Sequence, residues 1–198
     1  MVEKAIARSI TALRERDLEL ARQVVDDDSK VDRKRYEIEE KCVNLIVTQQ
    51  PVAGDLRLII CIIHLLDELE RIGDHAEGIG NIAIMIGDEP PLKPLIDVPR
   101  MADRTRDMLR RSLDAFVNKD VDEALRINDE DDDIDALYDQ VYRELLTFML
   151  EDPKTITRAT RLIWVAHNLE RCADRVTNIC ERTVYLATGR IDLRTSYY

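Results

Sequence analysis

Two carboxylates stand four residues apart at Glu70 and Asp74 and again at Glu170 and Asp174. They lie in the strings Leu69-Glu70-Arg71-Ile72-Gly73-Asp74 and Leu169-Glu170-Arg171-Cys172-Ala173-Asp174. On a helix, positions i and i+4 share one face, where like charges repel by roughly 0.2–0.5 kcal/mol per pair. Two chemistries offset that cost: a bound cation, or a web of salt bridges. A second pair, Asp28 and Asp32, returns as Asp131 and Asp135. If the pair on one helix meets the pair on its neighbour, four carboxylates surround one cation or a small cluster. Such an all-oxygen set suits iron(III), manganese, magnesium or calcium, and zinc less naturally. In the salt-bridge reading Arg71, three and four residues from Asp74 and Asp67, neutralises both, and the face is worth little.

Other chemistries find less support. The run Asp129-Glu130-Asp131-Asp132-Asp133-Ile134-Asp135 lacks the glycine and closing glutamate of a calcium-binding EF-hand loop. Di-iron bundles use Glu-x-x-His facing inward. His64 and His75 do not follow a glutamate by three residues, nor does His167. His64 reads as a core or near-core residue, and His75 as a surface neighbour of Asp74. His167 occupies the slot that Asp67 holds in the first copy. There is no Ser/His/Asp or Cys/His constellation and no glycine-rich phosphate loop, so the sequence gives no support for an enzyme.

The elements that carry these residues are themselves duplicated. At an offset of 103, Ser9-Ile10 falls on Ser112-Leu113, Asp17 on Asp120, Ala21 on Ala124, Val31 on Ile134 and Ile38 on Val141; along the last helix of each copy the offset is 100. A repeat of this length is two copies of one supersecondary unit. Each copy reads as three helices, over 1–15, 18–50 and 55–86, then over 98–118, 120–150 and 155–188. The breaker Gly87-Asp88-Glu89-Pro90-Pro91-Leu92-Lys93-Pro94 separates them, giving units at 1–90 and 91–198. The third helices carry apolar stripes at 3-4 spacing: Leu65, Leu69, Ile72, Ala76, Ile79, Ala83 and Ile86, matched by Val165 through Leu186. The expected fold is all-α, two tandem antiparallel three-helix bundles. Projection at 100° per residue puts Asp67, Glu70, Asp74 and Glu77 opposite the stripe, on an outer face open to water. The first helix is one to two turns shorter than its copy, which predicts looser packing at that end.

With 198 residues, 45% hydrophobic but only 5% aromatic, the chain can bury a core with few rings. Its net charge of −11 excludes a basic nucleic-acid footprint. No apolar run has the length of a membrane span and no signal peptide opens the chain. Cys42, Cys61, Cys172 and Cys180 have no metal-site spacing and read as buried, reduced thiols of a cytoplasmic protein.

Asp17 with Ala21, the Asp28/Asp32 pair, Gln50-Pro51-Val52-Ala53-Gly54-Asp55-Leu56-Arg57 and Glu70-Arg71-Ile72-Gly73-Asp74, with the second copy ending at Gly189, together resemble the PhoU family over nearly the whole chain. That family comprises accessory proteins of phosphate transport and regulators of phosphate signalling. The resemblance implies the same tandem bundles and no catalysis. It implies a negative regulator at the cytoplasmic side of the membrane, held there through partners: the ATPase subunit of an ABC phosphate transporter and a phosphate-sensing histidine kinase. It leaves a homodimer open. Some members carry iron or zinc clusters on their acidic motifs, which match Asp28, Asp32, Glu70, Asp74, Asp131, Asp135, Glu170 and Asp174 here; manganese, magnesium and calcium remain alternatives. The second copy lacks a clear Gln-Pro-Val-Ala-Gly-Asp-Leu-Arg segment. Metal storage without a signalling partner, and regulation of a different transporter, are the competing readings.

Overall fold

An aspartate starts the second limb of each half. Asp17 Oδ1 accepts the N–H of Leu20 at 2.9 Å, and Asp120 Oδ1 accepts that of Glu123 at 3.0 Å. Each satisfies a donor that the helix start would leave open, a contribution of about 1 kcal/mol. The residue just before each cap, Arg16 or Lys119, takes a left-handed conformation, with φ 56° and 55°. The tight corner is therefore a duplicated feature, built without glycine.

The computed structural model describes residues 1–190, and every regular element in that range is helical. The first half consists of α1 (Val2–Glu15), α2 (Leu18–Gln49) and α3 (Ala53–Ile86). The second consists of α4 (Asp97–Asn118), α5 (Val121–Asp129), α6 (Asp131–Glu151) and α7 (Ile156–Thr188), with one short 3-10 turn at Pro153–Thr155. In each half the first two limbs pack on the third, giving two tandem three-helix bundles. The expected second limb over 120–150 is interrupted once. The Glu130 N–H is shared between the carbonyls of Arg126 and Ile127, at 3.2 and 3.1 Å, and α6 starts afresh with Asp131, Asp132 and Asp133. Aspartate is a poor interior helix former and favours a helix N-terminus. The first half runs straight through the same point, where Lys30, not an acid, follows the aspartates and pairs with Asp27.

The halves meet along α3 and α7, each about 50 Å long at 1.5 Å per residue. Near the midpoint, Cys172 Sγ lies 4.0 Å from the Ile72 carbonyl oxygen, and Arg106 of α4 reaches Glu3 of α1 at 3.2 Å. In both contacts a residue touches its own copy, which marks a pseudo-two-fold axis between the halves. Away from it, Glu68 accepts from Asn178 at 3.1 Å while His75 Nδ1 stands 3.0 Å from Asn168 Oδ1. The third helices are therefore covered on more than one side, which a single apolar stripe did not foretell. Cys61 and Leu66 on α3, and Ala166 and Ala173 on α7, are buried outside the stripe. His75 is half-buried between the two helices, not a surface neighbour of Asp74, and its hydrogen bond to Asn168 serves the interface. His64, expected in or near the core, is exposed. All four cysteines are buried and unpaired, as expected. α1 is 14 residues long against 22 for α4, and beneath its start lies a pocket of about 170 Å³ lined by Met1, Lys4, Arg8, Asp28, Val31 and Gly73.

Candidate functional site: two acidic grooves

Helix α2 runs beside α3 closely enough that glycine matters at Gly73. A methyl group there would meet Asp28 Oδ1 at 3.0 Å and Val31 Cγ1 at 3.3 Å. This approach brings Asp28 and Asp32 of α2 against Glu70 and Asp74 of α3. Loss of water holds the Asp28 carboxyl up at about 6, aided by the charges of Glu77, Asp32, Asp74 and Glu70. Burial likewise raises Glu70 and Asp74; Asp74 adds to the rise at Glu70, while Arg35 opposes it.

The second groove lies between α6 and α7. Asp131 is pushed up to about 7, first by burial and then by Asp135, Asp174, Glu170 and Asp132. Asp135 and Glu170 are raised too, by burial and then by Asp174. All eight sequence-derived carboxylates therefore fall into two sets of four, one per half. Their placement differs from the outer face that helical projection gave. Most are half-buried along the seam between two helices, with only Asp74 and Asp135 exposed. The neighbouring helix removes much of the water that an outer face would have.

Salt bridges also run differently from the expected Arg71 web. Asp67 is held by Arg35 of α2, with Nη2 and Nε at 2.6 and 3.1 Å from Oδ1. In the second half Arg171 does pair with Asp174, at 2.8 Å. One ion pair is common to both halves: Arg8 to Asp27 at 2.6 Å, and Arg111 to Glu130 at 2.8 Å, from the first limb to the second.

The fit of a cation differs between the grooves. Among the described residues, no three His, Cys, Asp or Glu side chains already converge tightly enough to hold a metal ion. In the second groove, however, Asp131 Oδ1 and Glu170 Oε2 are buried without a hydrogen-bond donor. Such orphaned anionic oxygens are costly unless something positive meets them. The first groove has no orphan of this kind among its described carboxylates. The donors in both grooves are carboxylate oxygens, the kind that hard cations take.

Arg35, Tyr138 and Gly73 escaped the reading of the sequence. The internal offsets would have exposed the first two, since an offset of 103 places Tyr138 under Arg35 and the offset of 100 along the last helices places His167 under Asp67. Outside the grooves, the tips of both long hairpins carry exposed apolar side chains, Val47 at 68% and Val52 at 75% in one, Leu150 at 78% and Ile156 at 48% in the other.

The model of the PhoU domain matches residues 1–83 and 98–183, one match for each half. A phosphate-specific transport system accessory protein PhoU homolog from Aquifex aeolicus is 40% identical over 191 residues, covering 96% of this chain and 86% of that protein. The accessory protein PhoU of Escherichia coli is 38% identical over 190 residues, covering 96% and 79%. The crystal structure of PhoU from Pseudomonas aeruginosa superposes with a TM-score of 0.90 at 37% identity, covering 96% of this chain and 91% of that one. For the phosphate transport system regulatory protein PhoU from Streptococcus pneumoniae the values are 0.88 and 29%, covering 96% and 89%. With both halves matched and relatives near 40% identity spanning nearly its whole length, the chain belongs to the PhoU family.

Proposed function

We propose that this chain is a non-enzymatic accessory protein of phosphate transport. In this reading it restrains uptake and starvation signalling by docking on the ATPase subunit of a phosphate transporter and on a sensor histidine kinase. The observation that carries the reading is its full-length likeness to proteins named as phosphate-transport accessories. The exposed apolar tips of both hairpins support docking, since apolar side chains grouped on a surface serve as contact sites. No helix among the described residues is long and apolar enough to cross a membrane, so a role at the membrane would run through partners.

In the same reading the grooves hold metal ions, with Asp131, Asp135, Glu170 and Asp174 as ligands in the second half and Asp28, Asp32, Glu70 and Asp74 in the first. A bound cation would supply charge neutralisation and a crosslink between two helices. The orphaned oxygens of Asp131 and Glu170 support this.

Co-purification of the tagged chain with the transporter's ATPase subunit and with the kinase, in high and low phosphate, tests the docking. Association that strengthens in high phosphate, and weakens in Val52→Asp with Leu150→Asp, is the expected result. Failure to associate with either partner at any phosphate level would sink the reading.

A further inference from the structure

The two halves differ in what covers the seam between their two long limbs on the side of the first helix. In the second half the segment before α4 and the first turns of α4 lie there: Leu92 and Leu95 line one cavity with Leu162, Lys93 pairs with Glu144, and Arg104 reaches Asp133 at 2.7 Å. In the first half α1 begins at Val2, level with Val31 and Gly73. Residues 32–49 of α2, with the facing part of α3, run on past that level for about 27 Å at 1.5 Å per residue. Ile134, Val141, Leu162 and Leu169 are buried in the second half, whereas their copies Val31, Ile38, Ile62 and Leu69 are all partly exposed. Leu45, one further step of seven along α2, is 48% exposed. Steps of seven keep Val31, Ile38 and Leu45 on one face of α2, and Ile62 and Leu69 on one face of α3. Together they floor an apolar groove that its own copy in the second half keeps covered.

The rim of this groove has changed sign. The two acids that the covering segment meets in the second half, Asp133 and Glu144, are Lys30 and Lys41 in the first, and Leu137 between them is Lys34. Lys30 holds Asp27 at 2.5 Å and Lys34 holds Glu37 at 2.9 Å, while Lys41 has no ion-pair partner among the described residues. The second half draws cations onto its rim; the first offers cations of its own. We propose that the groove docks an amphipathic helix of a partner protein, with an aliphatic stripe for the floor and acidic residues beside that stripe for Lys34 and Lys41. The site stands whether or not the hairpin tips dock on a transporter, and its test uses neither the transporter nor the kinase.

Fluorescence anisotropy of the full chain with two labelled synthetic helices tests this. Both helices carry the same leucine stripe at i, i+3, i+4 and i+7; one flanks it with glutamates and the other with lysines. The chain's net charge of −11 favours the lysine helix by general attraction, so a preference for the glutamate helix reports the groove itself. The glutamate helix should bind roughly tenfold tighter at low salt, and the preference should shrink severalfold at about 0.5 M salt. Lys34→Glu with Lys41→Glu should invert the preference, and Leu45→Asp should weaken both helices by roughly tenfold. All three positions are exposed, and circular dichroism melts check that each variant is folded. Equal affinity for the two helices, no binding of the glutamate helix, or a preference unmoved by the lysine substitutions overturns the proposal. So does a parent chain that sediments as a dimer and becomes a monomer in Leu45→Asp, which makes a second copy the occupant.

Discussion

The acidic groove between α2 and α3 and the one between α6 and α7 descend from one unit, yet they settle their charge in different ways. The first neutralises itself from within: Arg35 holds Asp67, while Arg8 and Lys30 share Asp27. The second keeps the shared arginine pair, Arg111 with Glu130, but replaces Lys30 by Asp133 and Arg35 by Tyr138. It is left with deeper burial and two unmatched oxygens. Duplication preserved the frame that aligns the carboxylates and released the flanking positions to diverge. The positions that set a site's electrostatics therefore lie next to its motif, not in it.

The largest expected difference concerns how firmly each motif is seated. Leu169, the residue before Glu170, is fully buried, whereas its copy Leu69 is only partly so. Leu169→Ala should cost about 3–4 kcal/mol and Leu69→Ala about 1–2 kcal/mol in urea unfolding, because a cavity costs most where the surroundings are closed. Equal losses would mean that the two carboxylate helices are held alike.

Charge should separate the grooves next. A carboxyl whose folded pKa is raised binds its proton more tightly in the folded state. The stability this gives is full below about pH 4 and is lost as pH rises through the folded pKa, about 6 for Asp28 and about 7 for Asp131. In chelator, the chain should therefore melt lower at pH 8 than at pH 5. Asp131→Asn should recover about 1–2 kcal/mol at pH 8, a figure already reduced for solvent screening, and Asp28→Asn less. At pH 5, where the loss is already under way, each gain should be roughly half of its value at pH 8 or less. If the two variants recover the same amount at pH 8, the deeper burial of Asp131 has no energetic consequence.

Exchange of the small residues below the carboxylates should have a smaller effect. Ala173→Gly should lose about 1 kcal/mol, the ordinary helix cost. Gly73→Ala, which would gain as much on a free helix, should gain nothing, since its methyl meets Asp28 Oδ1 at 3.0 Å. A full gain in thermal melts would show that α2 yields easily and that the first groove is the softer one.

Much of this was legible in the sequence, for physical reasons. Most helix ends were, because Asp17, Pro51, Gly87, Asp120 and Pro153 act on their own backbone neighbours; the break between α5 and α6 at Glu130 was not. The pairing of the eight carboxylates was, because a repeat fixes which faces correspond. Their depth was not: it depends on how closely α2 approaches α3, which Gly73 permits and no single-helix projection contains. His64 and His75 were assigned to each other's environments because α3 packs against its own bundle and against α7 at once, and one apolar stripe describes only one of those contacts. Arg35 stayed hidden because its partner Asp67 lies 32 residues away on another helix.

The smallest effect tests the exchanged pair itself. A double-mutant cycle on Arg35→Ala and Asp67→Ala should give a coupling of about 0.5–1 kcal/mol, since both side chains are partly solvated, at 23% and 43% exposure. Raising the ionic strength from 0.05 to about 0.5 M should roughly halve it, because the Debye length then falls well below the ~10 Å found at 0.1 M. The matching cycle on Tyr138 and His167, whose contact is between two rings 6.1 Å apart and includes no arginine–carboxylate pair, should give a coupling that salt changes much less. Equal salt dependence in the two cycles would mean that exchanging Arg35 and Asp67 for Tyr138 and His167 left the electrostatics of the two grooves alike, and that the difference between them lies elsewhere, in the depth of Asp131 and Glu170.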